Sequence, residues 1–213
     1  ASRATAVLTE VNASGNPLTG GYVYRDGSID KGDDISGVSI LFPAMTKVIT
    51  LNISNCGLGP SAMPELSKLV RDASAVLNEV NMSGNPLTGG DVWRNGSVQL
   101  GTDISGVAVL FPSMTAVITL NVSNCGLGPS AMPELSKLVR DASAVLARVS
   151  VLSNPIGADG ADALIQVFEQ NAKLRTLLGI EEGVTELNLS KKNVDPGQAK
   201  ILAAELKASR AAA

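Results

Sequence analysis

The twenty residues NCGLGPSAMPELSKLVRDAS occupy Asn55–Ser74 and occur again, letter for letter, at Asn124–Ser143. The copying extends outward on both sides. GNPLTGG recurs at Gly15 and Gly84, and DISGV at Asp34 and Asp103. Ala6, Ala75 and Ala144 each open an AVL, every time 69 residues after the last. A catalytic site gains little from a verbatim copy, whereas a stacked scaffold is made of copies.

A period of 69 is too long for one stacking unit, and aligning the apolar positions divides it. The pattern L-x-x-L-x-L-x-x-[N/C]-x-L is met from Leu8, Val48, Leu77, Val117, Leu146 and Val184. Its polar slot holds Asn16, Cys56, Asn85, Cys125 and Asn154, and then Lys192. In LTEVNAS and ITLNIS the apolar residues alternate, as a strand buried on one face requires. A short Asn or Cys where the chain leaves such a strand can pair turn backbone groups that would otherwise be buried alone. GPSAMPELSKLV then predicts a helix, with Ser61 as N-cap, Pro64 in the tolerant first turn, and Met63, Leu66, Leu69 and Val70 as its buried stripe.

Six matches in register resemble the leucine-rich repeat family, and tails such as LGPSAMPELSKLV and IGADGADALIQVF resemble its long, helix-bearing, ribonuclease-inhibitor-like subtype. The closing segment from Leu174 is similar to the ends of algal and protist arrays. The resemblance implies an α/β solenoid over residues 1–213: parallel strands on the concave face, helices on the convex face, about six repeats. Strands are expected to start near 8, 48, 77, 117, 146 and 184, with a C-terminal cap over about 184–213. The Lys and Glu of QAKILAAELKAS suit a cap with a wet outer face, and a buried Lys192 would be costly. Ser2 to Thr5 reads as the tail of a preceding helix. With no polar cap before the first strand and no initiator Met, the chain reads as processed or partial, or as covered at its first repeat by another protein.

Spacing sets apart two insertions. The interval between strand starts is 40 residues from Leu8 to Val48 but 29 from Val48 to Leu77, and the excess lies at about 22–33 and 91–102. YVYRDGSIDKGD and DVWRNGSVQLGT each alternate around Asp26-Gly27 or Asn95-Gly96, the signal of a type I′ hairpin. These hairpins hold every Tyr and Trp of the chain, Tyr22, Tyr24 and Trp93, with Arg25 and Arg94 beside them. Interface hot spots favour those three residue types, so the pair is the leading partner-binding candidate. The acids around Asp26 are not kept in the second copy, which reads Asn95, Gln99 and Thr102, so a calcium loop is not expected.

The open strand face carries Asn12, Asn52, Asn81, Asn121 and Ser150 in one column and Glu10, Thr50, Glu79, Thr119 and Arg148 in the next. Asn52, Asn121 and Arg148 are its candidate binding residues. Five of six N-x-S sequons fall in this strand pattern and are copied with it; the sixth is Asn95.

Composition removes several functions. There is no histidine, the commonest general base and metal ligand, and the two cysteines sit two strands apart, too far for a disulfide. No triad, Walker-type loop or CxxC is present, so no catalytic, metal or cofactor site is expected. The net charge of −3 gives no field for nucleic acid, and no apolar run is long enough to span a membrane. The chain is expected to be soluble and to carry no visible signal peptide. The reading is a non-enzymatic protein–protein interaction scaffold. Alternatives are an accessory subunit held permanently in a larger complex, with an algal membrane assembly suggested by the resemblance, and carbohydrate binding through the Asn/Ser ladder.

Overall fold

The computed structural model describes residues 7–208. The proposed helix tail at Ser2–Thr5 and the last residues of the proposed cap lie outside them. The fold is α/β. One sheet holds five parallel strands in chain order: β1 (Glu10–Asn12), β2 (Thr50–Asn52), β3 (Glu79–Asn81), β4 (Thr119–Asn121) and β5 (Arg148–Ser150). Register aligns Val11, Leu51, Val80, Leu120 and Val149 in one row and Asn12, Asn52, Asn81, Asn121 and Ser150 in the next. Parallel neighbours need a crossover, and among the described residues six α-helices lie in these connections and after the sheet: α1 (Ser36–Leu41), α2 (Met63–Asp72), α3 (Ser105–Leu110), α4 (Met132–Asp141), α5 (Gly157–Gln170) and α6 (Pro196–Ala208).

The strands are short because their last residue bends the chain. In β1 to β4 the Asn side-chain oxygen accepts the backbone N–H of the Ser two residues on, an Asx turn that competes with further strand pairing. The residue just before the polar slot has positive φ throughout: Gly15, Asn55, Gly84, Asn124, Ser153 and Lys191. α2 and α4 begin after 3-10 turns at Pro60–Ala62 and Pro129–Ala131. Ser61 therefore does not cap α2: the preceding turn puts Ala62 at the cap position, with no side-chain bond. Met63, Leu66, Leu69 and Val70 are buried as the stripe requires, and the core continues from Val38 to Ile201.

The polar slot splits by position. Asn85 Oδ1 accepts the N–H groups of Cys56 (2.8 Å) and Leu58 (3.0 Å), while its Nδ2 donates to the carbonyls of Ile53 and Met82 (2.8 Å each). Asn154 repeats this set on Cys125, Leu127, Val122 and Val151. The Cys56 and Cys125 thiols donate back to Ala13 and Met82 carbonyls. Asn16, expected as the first member of this buried series, is exposed, and its side chain bonds only within its own turn, to Ala13 and Ser14. No described residue stacks on its far side.

The expected strand from Val184 is also not formed. Val184 and Leu187 are exposed, and Thr176–Leu178 takes the place beside β5 instead. Val149 donates to the Thr176 carbonyl (3.0 Å) and Val151 to that of Leu177 (2.9 Å). The free N–H groups of Leu177 and Leu178 turn to the carboxylate of Glu205, which the Thr176 hydroxyl also reaches. Glu205, expected on a wet face, is fully buried and closes the sheet. Among the described residues no helix is long and apolar enough to cross a membrane.

Candidate binding surfaces

The two insertions fold as paired extended segments, Val23 opposite Ile29 and Val92 opposite Val98. Their turns differ from the expected type I′. Gly27 N–H donates to Tyr24 O (2.9 Å) and Gly96 N–H to Trp93 O (2.8 Å), with positive φ at Gly27 (84°) and Gly96 (77°) but not at Asp26 or Asn95. That is a type I turn followed by a left-handed glycine. Asp26 and Asn95 instead use their side-chain oxygens to hold Ser28 and Ser97 N–H (3.0 Å each). The Ser28 contacts also hold the Asp26 carboxyl below its ordinary value.

Each hairpin folds back onto the sheet through the residue just before the polar slot. Asn55 Nδ2 donates to Gly27 O (3.1 Å) and its Oδ1 accepts Ile29 N–H (3.3 Å). Asn124 does the same to Gly96 O (2.7 Å) and Val98 N–H (2.9 Å). Both can do so because they hold φ near +50°, a conformation Asn tolerates. Gly57, two residues further on, has φ +68° and lies against the Asp30 carbonyl, where a Cβ has no room. The repeated NCG is thus a hairpin anchor as well as a strand exit.

The hairpins also touch one another. Ser28 Oγ donates to Trp93 O (3.3 Å), Val92 N–H to Asp30 Oδ1 (3.3 Å), and Lys31 Nζ pairs with Asp91 (2.9 Å). Tyr22 and Tyr24 meet edge-to-face at 5.0 Å. Tyr24 Oη donates to Asp30 Oδ2 (3.3 Å); desolvation and then this carboxylate raise the phenol's pKa. Tyr24, Val92, Trp93, Arg94 and Asn95 line one hollow of about 530 Å³. Tyr22 (69 %) and Trp93 (57 %) stay largely in solvent, and Arg25 and Arg94 are exposed. The structure therefore brings Tyr24, Trp93 and Arg94 together, with Tyr22 against Tyr24.

The strand-face candidates lie elsewhere. Asn52 and Asn121 are half-buried, their oxygens committed to Ser54 and Ser123. Arg148 donates to the Ile180 carbonyl (3.0 Å) and so helps hold the segment that closes the sheet. Cys56 and Cys125 are free and buried. Burial raises both thiols, Cys125 to about 12, which removes the thiolate a nucleophile needs. No protein-family model matches the chain, and no curated protein matches it.

Proposed function

We propose that the chain is a leucine-rich-repeat solenoid of about six units acting as a non-enzymatic protein-interaction scaffold, with the hairpin rim as its contact surface. The repeat reading is supported by the positive φ found at the same place in all six units, including Lys191, where no strand forms. The binding reading rests on one observation: two insertions, 69 residues apart, touch one another and bring Tyr24, Trp93 and Arg94 together, with Tyr22 against Tyr24. A solenoid needs no such insertions, and a pinned aromatic patch loses little entropy when it is covered.

The test is affinity capture with the native extract, comparing wild type with Tyr24→Ala/Trp93→Ala. Loss of the recovered protein partner is expected; retention of every partner overturns the rim assignment. A permanently docked subunit is the second reading, favoured by the exposure of Val7 (67 %) and Leu8 (69 %) beside β1. It requires the isolated chain to self-associate in light scattering, whereas a free-standing scaffold runs as a monomer.

A further inference from the structure

A second surface adjoins the aromatic rim and shares Asn95 with it. In parallel α/β sheets the carboxyl ends of the strands are where ligands are commonly held. Here Ser54, Ser83, Ser123 and Leu152, each two residues past a strand, form the floor of a groove of about 740 Å³. The hairpin tips, at Asp26–Ser28 and Asn95–Ser97, line it together with the loop at Lys191–Asn193. We propose that this groove binds an acidic oligosaccharide, its hydroxyl and ring oxygens met by the Asn and Ser side chains and its carboxylates by Lys191 and Lys192.

The lining segments are fixed in place. Asn55 and Asn124 pin the hairpin tips, and Ser153 Oγ donates to Lys192 O (2.7 Å) to pin the lysine loop. The groove therefore costs little ordering on binding. Most of its unspent groups can donate, while the Asn193 amide offers both a donor and an acceptor. Asn95 Nδ2, Asn121 Nδ2, and the Lys191 and Lys192 ammonium groups have no partner among the described residues, and neither do the Ser54 and Ser97 hydroxyls. The one carboxylate lining the groove, Asp26, accepts the Ser28 N–H and hydroxyl through Oδ1, and its Oδ2 has no partner among the described residues. The donors and the two ammonium groups favour a ligand that brings acceptors, with negative charge toward the lysine loop.

A peptide fits less well. The backbones of β2 to β4 are paired on both sides, so no edge is open for strand addition there. Only Leu152 and Leu178 offer apolar side-chain surface, so an anchoring side chain has no pocket. A sugar chain needs neither, since scattered single hydrogen bonds suit its scattered oxygens.

The experiment titrates the full chain with a de-esterified hexagalacturonate, following the Asn side-chain amide signals by NMR and affinity by calorimetry. Cellohexaose and hexaglutamate serve as the neutral and the peptidic probes. The expected result is movement of the Asn95 and Asn121 amide signals with the uronate and weakening by about tenfold or more in Lys191→Ala/Lys192→Ala. Asn121→Leu should weaken binding too, while Lys68→Ala/Lys137→Ala on the exposed faces of α2 and α4 should not. No shift at millimolar uronate overturns the proposal. So does equal response to hexaglutamate, which marks a charge surface for peptides, or equal weakening by the α2/α4 pair, which marks a diffuse electrostatic effect. Equal binding of cellohexaose overturns the role of the lysines. The rim assignment is untouched by any of these results, because its readout is loss of a protein on Tyr24→Ala/Trp93→Ala.

Discussion

At the scale of single residues, the same asparagine slot carries very different weight along the chain. Asn85 pairs four backbone groups in a place without water, and Asn16 pairs two in solvent. Each buried backbone group left unpaired costs about 1–3 kcal/mol. Asn85→Ala or Asn154→Ala should therefore lower unfolding free energy by about 3 kcal/mol or more, and Asn16→Ala by well under 1 kcal/mol, as read by urea titration. Equal losses at Asn16 and Asn85 would mean that the first slot is also covered. The cysteine slots make a second prediction. With both thiols buried and their pKa raised, neither should react with a thiol reagent at pH 8 in the folded protein, and two should react in denaturant. A native titre above zero contradicts it. Spacing in the sequence was enough to find these slots, because a turn of fixed length repeats its polar residue. It could not separate Asn16 from Asn85, since that difference lies in what stacks alongside. Nor could it give Asn55 and Asn124 their anchoring role, because their partners sit in an insertion almost thirty residues earlier.

At the scale of elements, local signals held where the chain decides alone and failed where a distant segment competes. The buried stripe of α2 is set by its own 3.6-residue period. The apolar pattern from Val184 is as good as the others, yet Thr176–Leu178 reaches the β5 edge first and α6 brings Glu205 to seal it. Glu205 is ionisable and buried, so it makes stability depend on pH. Its backbone and hydroxyl partners favour the charged form, but desolvation is the larger influence and raises its pKa. The folded state then binds the proton more tightly than the unfolded chain. Its contribution is fully present below the ordinary glutamate value and is lost as pH rises through the elevated folded value. Wild-type stability should fall across that window, and Glu205→Gln should remove the slope, in denaturant titrations over a pH series. Asp26, Asp34 and Asp103 have lowered values and act below the ordinary aspartate range. Their contribution is lost as pH falls, so the difference between wild type and Glu205→Gln isolates the glutamate. An unchanged slope in the variant would place the titration elsewhere.

At the scale of the whole molecule, the duplication made the order of the sheet legible. Units copied in tandem and joined by crossovers stack in sequence, which is the order observed. The groove was not legible, because it is assembled from strand exits, two hairpin tips and a loop after the sheet, none of which signals the others. Chain-order pairing also has a dynamic consequence: each strand leans only on its sequence neighbours, so the two ends of the sheet need not open together. They differ sharply in cover. At β1, Leu8 is 69 % exposed and Val11 only partly buried, while at β5 Val149 and Val151 are fully buried and bonded to Thr176 and Leu177. The buried carboxylate of Glu205 in turn holds that closing segment. Opening β1 sacrifices little apolar burial, whereas opening β5 must also expose α5 and α6, which pack on each other. Native-state hydrogen exchange should therefore show a gradient, with the Ala13 amide, bonded to Asn52 of β2, and the Gly15 amide, bonded to Ser54 just past it, exchanging fastest and Val149 and Val151 slowest. Equal protection at Ala13 and Val151 would show that the sheet opens only as one cooperative body. With the gradient present, Glu205→Gln should speed exchange at Val149 and Val151 while leaving Ala13 unchanged, since the glutamate acts only at the closed end.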